Sequence, residues 1–111
     1  MEISLETNKK VQELQMLEQD LQRVLMQKQS LEIEMNEAGN ALTELLKTGD
    51  EVYKILGGIM IKSDKKSLKS ELEEKKKILE IKIQSLEKQE KNLDEKSDSL
   101  RLEIQKSINS N

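Results

Sequence analysis

The 111-residue chain has no cysteine, histidine, proline, tryptophan or phenylalanine, and its single aromatic residue is Tyr53. Each absence closes a class of chemistry. Without Cys and His, the common zinc sites, thiol nucleophiles and Ser-His-Asp catalysis have no raw material. Without Cys there is also no disulfide framework, and a reducing cytoplasm is the expected compartment. One aromatic and no proline argue against an all-β sandwich with a packed aromatic core. Long apolar runs are missing too. The longest, Ile55 to Ile61 with its two glycines, falls far short of the ~20 residues that span a bilayer. The opening MEISLETNKK carries acids where a secretory leader needs basic residues and then an apolar run, so no membrane association is expected. No enzyme, cofactor or metal site is expected.

What is present is charge at 37% of residues and an abundance of Leu, Ile, Glu, Lys and Gln. That is the composition of long helices and coiled coils. The net charge of −3 is mild but unevenly spread. Residues 1–46 sum to −5, residues 47–66 to +2, and residues 67–111 to zero. No segment is a basic block, so nucleic acid is not an expected partner.

Three parts follow from the periodicity. In residues 1–46, steps of three and four from Leu14 reach Leu17, Leu21, Val24, Lys28, Leu31, Met35, Ala38, Leu42 and Leu45. Only Lys28 is polar, and such alternation is the a/d seam of a left-handed coiled coil. Gly39 falls off this seam at e. In residues 67–111, Leu72, Leu79, Leu86, Leu93 and Leu100 recur every seven and define d. The a positions are then Lys69, Lys76, Ile83, Glu90, Ser97 and Ile104, four of the six polar. Ser63, Asp64 and Ser67 are all candidates for the N-cap of this helix.

The middle part, residues 47–66, reads as a turn and a hairpin. Gly49 suits the left-handed residue that ends a helix. Two β-prone runs, Val52–Leu56 and Ile59–Ser63, are separated by Gly57-Gly58, a pair suited to a two-residue hairpin turn. The turn sets Leu56 opposite Ile59, Ile55 opposite Met60, and Lys54 opposite Ile61. One face then carries Val52, Leu56, Ile59 and Ile61, and the other Tyr53, Ile55 and Met60.

Two helices of equal length, each ~60 Å long, joined by about 20 residues, form an antiparallel coiled-coil hairpin within one chain. Paired positions sum to about 113, which sets Leu42 against Leu72, Leu31 against Ile83, and Leu21 against Leu93. A lone two-stranded hairpin is marginal in water, and its open edges invite other strands. Val52, Tyr53, Ile55, Leu56, Gly57, Gly58, Ile59, Met60 and Ile61 are therefore the expected oligomerisation residues. Near the free ends the seam carries Glu90 and Ser97, while Ile3, Leu5, Val11, Met16, Leu102 and Ile108 lie off it. A weak seam beside stray apolar side chains suggests ends that splay and bind partners.

These residues resemble a known family. Val52-Tyr53-Lys54, then Gly57 and Ile59-Met60-Ile61-Lys62, resembles the hairpin signature of prefoldin β-class subunits. The stretches Leu86–Leu93 and Gln27–Leu45 resemble that family's helices, and the likeness covers nearly the whole chain. A single hairpin points to the β class. The resemblance implies an archaeal, ATP-independent holdase chaperone. It implies an intersubunit β-barrel, built with α-class subunits and further copies of this chain in an α2β4 hexamer. It also implies unfolded proteins as clients, held at the tips of the arms, and delivery to a group II chaperonin; the off-seam Ile3, Leu5, Val11, Met16, Leu102 and Ile108 are the expected client-binding residues there. A structural coiled-coil adaptor binding one partner is the alternative, and a parallel leucine zipper through Leu72–Leu100 is a lesser one.

Overall fold

The computed structural model describes residues 4–109. Helix α1 spans Leu5–Lys47, strands β1 and β2 span Glu51–Leu56 and Ile59–Asp64, and helix α2 spans Lys65–Asn109. The contacts gather into two compact units. A hairpin unit comprises Ser30–Ile83, and an end unit comprises the stretch through Gln29 and the stretch from Gln84.

Each helix starts on a side-chain oxygen. At α1 the Thr7 amide donates to Ser4 Oγ at 3.1 Å. At α2 the Ser67 amide donates to Asp64 Oδ1 at 2.7 Å, and the Ser67 hydroxyl donates to Asp64 Oδ2 at 2.9 Å. Asp64 is thus the cap that composition left open among three candidates, and α2 begins at Lys65. These two bonds, the amide's first, hold the Asp64 carboxyl below its ordinary value. The end of α1 differs from expectation. Positive φ occurs at Gly57 and Gly58 but not at Gly49. The Thr48 hydroxyl instead donates to the Leu45 carbonyl at 2.9 Å, and Lys65 Nζ donates to the Thr48 carbonyl at 3.0 Å. Two side-chain donors satisfy terminal carbonyls, so a left-handed glycine is not needed.

The hairpin register is Leu56↔Ile59, Ile55↔Met60 and Lys54↔Ile61, continuing to Glu51↔Asp64. Gly57 and Gly58 have φ of 54° and 80°, the pair of left-handed residues that a type I′ turn requires.

The core of each unit is a seam. All ten a/d positions of α1 are buried or half-buried, as are the five leucines of the α2 ladder. The α2 a positions follow, with one exception. Lys69 is exposed and Leu68 is half-buried in its place. The cost of stripping water from an ammonium exceeds the cost of shifting the seam by one residue where an apolar neighbour is available. In the end unit the helices run antiparallel, with bonded partners whose numbers sum to between 113 and 119.

Helix α1 runs uninterrupted through Gly39. A Cβ there would meet Lys76 Nζ at 3.9 Å, an ordinary contact. Gly39→Ala is therefore expected to stabilise the chain by about 0.5–1 kcal/mol, the helix-propensity difference, read as a raised denaturation midpoint. For Asp64, the lowered carboxyl value means that the cap's contribution is present above the unfolded value and is lost as pH falls through the folded one. Asp64→Ala should lower stability near neutrality, with the difference from the parent vanishing in strong acid. Asp64→Asn, which caps without titrating, should show a difference from Asp64→Ala that persists in acid.

Candidate subunit and client surfaces

In the hairpin unit the sheet is only partly covered. Alternation places Val52, Lys54, Leu56, Ile59, Ile61 and Ser63 on one face and Tyr53, Ile55 and Met60 on the other. The base of the first face docks on the chain itself. Val52 is buried, and Lys54 and Ser63 are half-buried. Lys54 Nζ lies 3.3 Å from both carboxylate oxygens of Glu71 on α2. Val52, expected at the oligomer interface, is thus spent on seating the hairpin, because it sits at the base of the strand beside the helices. Beyond the base every apolar residue is exposed: Tyr53, Ile55, Leu56, Ile59, Met60 and Ile61. Gly57 and Gly58 are exposed at the turn. Across the other face, Glu51 and Lys62 pair at 3.8 Å, putting charge toward the base and leaving the apolar residues nearer the turn.

The strand edges follow from the turn. A two-residue loop makes the flanking pair, Leu56 and Ile59, the hydrogen-bonded one. Alternation then turns the amides and carbonyls of Tyr53, Ile55, Met60 and Lys62 outward, ready for further strands.

In the end unit the candidate client residues divide. Leu5, Met16, Leu102 and Ile108 are exposed, Leu5 to 74% and Met16 to 66%. Val11 is half-buried beside the seam, a departure from its expected place on the surface. Ile3 lies outside the described residues. The seam beneath them is closed but polar. The Thr7 hydroxyl is 1% exposed and shares hydrogen bonds with Ser107 Oγ and Ser4 Oγ. Ser97 is equally buried, and its hydroxyl has no partner. The expectation of splayed ends is thus replaced by a paired end held through hydroxyls, because Thr7 and Ser107 satisfy each other where leucines would otherwise meet. Outside the seam, Arg101 bonds Glu18 at 2.9 Å and Asp98 at 3.2 Å. The Glu18 bond is the main cause of a raised Arg101 value. The grooves along this unit are open, and one runs past Leu17 and Leu100 between Glu13, Glu95, Lys96 and Glu103.

The seam-centred reading gives Met26 to packing and passes over Ile33, Leu46, Ile78 and Ile81, yet all five are exposed. Counting the heptad outward from Leu14 would have found two of them, since Met26 and Ile33 both fall at f, the position farthest from the seam. Among the described residues no cluster of acidic, His or Cys side chains is arranged to hold a metal ion. No helix of the described residues is long and apolar enough to cross a membrane.

A hairpin set between two seamed helices is the pattern to compare with known proteins. A family profile described as Prefoldin subunit matches residues 8–111. The chain belongs to the prefoldin family. Its relatives place it among the β subunits. It is 40% identical over 98 residues to the prefoldin subunit beta of Thermococcus onnurineus, covering 86% of this chain and 84% of that protein. It is 42% identical over 88 residues to that of Archaeoglobus fulgidus, covering 78% and 76%. The relative from Methanospirillum hungatei is 36% identical over 108 residues, covering 96% and 90%. The crystal structure of the prefoldin beta subunit from Thermococcus strain KS-1 superposes with a TM-score of 0.88 at 36% identity, covering 96% of this chain and 95% of that one. Prefoldin subunits assemble with other prefoldin subunits, and the barrel of this fold forms between them. The exposed apolar faces and outward strand edges of this hairpin are what such a barrel requires.

Assembly is expected to depend on the hairpin faces. Replacing both Ile59 and Ile61 with Lys sets ammonium groups where partner strands pack, a strongly unfavourable burial. Sedimentation should show loss of the multi-subunit species with the helices intact by circular dichroism. Assembly of the double variant at parental levels would contradict this role.

Proposed function

We propose that this prefoldin chain works as the β-class subunit of an ATP-independent holdase. It captures unfolded polypeptides on its end unit and passes them to a group II chaperonin. Its assembly partners in this proposal are an α-class subunit and further copies of itself, in an α2β4 hexamer acting in the cytoplasm. The observation that carries the reading is the presence of two unlike apolar surfaces on one small chain. One is a compact sheet with open edges, suited to a fixed partner. The other is a scatter of single apolar side chains, Leu5, Met16, Leu102 and Ile108, separated by charged residues. A dispersed set of this kind has no shape to match against one folded partner, but each side chain contributes about 1.5–3 kcal/mol when fully covered. Several arms acting on one extended client then gain avidity through effective concentration. Met16 adds adaptability, since an unbranched thioether fits irregular contacts.

The functional test replaces Leu5, Met16, Leu102 and Ile108 with Gln. These side chains are exposed, so fold and assembly should be retained. Protection of a denatured test protein, followed by light scattering on dilution, should fall markedly, and single replacements should each have small effects. Full protection by the fourfold variant, with its oligomer intact, would move client capture to the inner faces of the arms.

A further inference from the structure

The ladder Leu72, Leu79, Leu86, Leu93 and Leu100 is a general-purpose seam. Leucine at every d position pairs with any helix that offers matching layers, including the same helix of another copy. When the chain is synthesised as many copies, α2 therefore has two candidate partners: its own α1 and the α2 of a neighbour. The apolar layers alone do not separate the two outcomes; the tether to α1 favours the first through effective concentration, and the polar seam residues add to that bias.

They are arranged to do so. Lys28 is the one polar residue among the ten seam positions of α1 from Leu14 to Leu45, and Glu90 is an a residue of α2. The two meet across the end unit at 3.1 Å, with their side chains only 22% and 26% exposed. Glu87 stands 3.8 Å from the same ammonium. In the hairpin unit, half-buried Lys76 runs alongside Gly39, the α1 position with no side chain. Now consider α2 paired with α2. In a parallel, in-register pair each a residue faces itself, so Lys76 meets Lys76 and Glu90 meets Glu90 of the other copy. In an antiparallel pair a residues face d residues, as they do between α1 and α2 of one chain, and one register sets Lys76 beside Glu90 of the other copy, so charge does not forbid that arrangement. The parallel arrangement therefore leaves half-buried like charges facing one another.

We infer that the Lys28–Glu90 ion pair, supported by Lys76, is a partner-selection device that directs α2 onto the α1 of its own chain and disfavours parallel pairing of α2 between copies. Such a pair adds little net stability, because desolvation offsets the attraction, but it penalises the wrong partner heavily. The energetic signature is therefore specificity rather than strength.

The absence of cysteine supplies the experiment. Ser97 lies buried in the α2 seam at an a position, so in a parallel α2 pair it faces its own copy. In the full-length chain, Ser97→Cys alone should give no interchain disulfide on mild oxidation. Adding Lys28→Leu, Lys76→Leu and Glu90→Leu should make the disulfide-linked dimer appear, while helicity and thermal midpoint are maintained or raised. Exchanging the charges instead, with Lys28→Glu and Glu90→Lys, should return the chain to the undimerised state, and this variant also controls for folding because it preserves composition. A leucine variant as free of dimer as the parent would overturn the inference. So would a charge-exchanged variant that dimerises as readily as the leucine variant.

Discussion

A two-stranded sheet cannot finish itself, and the rest of this structure depends on that constraint. Each strand has six residues, and one edge of each is unpaired. Every apolar side chain beyond the hairpin base is exposed on one face or the other. Water tolerates such a hairpin only marginally. The chain lessens the problem locally by burying Val52, tying Lys54 to Glu71 and capping α2 on Asp64 directly after β2. These contacts hold the hairpin in one orientation without covering it. Covering it is left to other subunits, which makes the fold and the oligomer parts of one equilibrium.

The helices serve the opposite end of the problem. A seam of leucines would hold them firmly along their whole length, but the layers change character along the chain. In the hairpin unit the buried seam residues are apolar, beside half-buried Lys76; in the end unit buried Val24, Leu86 and Leu100 alternate with hydroxyls at Thr7, Ser97 and Ser107 and with half-buried charges at Lys28 and Glu90. Ser97 buries a hydroxyl with no partner, a cost with no gain in stability. Polar layers weaken pairing and sharpen register, so the end unit is held by alignment more than by affinity. Under the proposed function, that is a suitable base for a surface that meets irregular chains.

Much of this was legible because heptad spacing and turn chemistry are local signals. Ten seam positions of α1, the α2 leucine ladder, the Gly57-Gly58 turn and the strand register could all be read by counting. What could not be read depended on competition among neighbours. Lys69 and Leu68 contend for one seam site, and hydration of the ammonium decides it. Gly49 yielded to Thr48 because a hydroxyl and the distant Lys65 reached the last carbonyls first. Val52 and Val11 are apolar residues whose burial depends on where the partner helix lies, which periodicity alone does not report. Met26 read as packing, and Ile33, Ile78 and Ile81 escaped notice, because a seam pattern carries no signal for apolar residues at the outer positions. Chaperone activity itself came from resemblance and then from relatives, since nothing in a solvated coiled coil encodes a client.

The central claim is that the hairpin's outward edges are completed by strands of other subunits. Amide hydrogen exchange in the assembled complex tests it most directly, residue by residue. Within one hairpin the amides of Lys54, Leu56, Ile59 and Ile61 point inward, and those of Tyr53, Ile55, Met60 and Lys62 point outward. On assembly, the outward set should become protected to the same degree as the inward set. Outward amides that exchange at unprotected rates within an intact oligomer would contradict the account, because the subunits would then be held together by something other than a shared sheet.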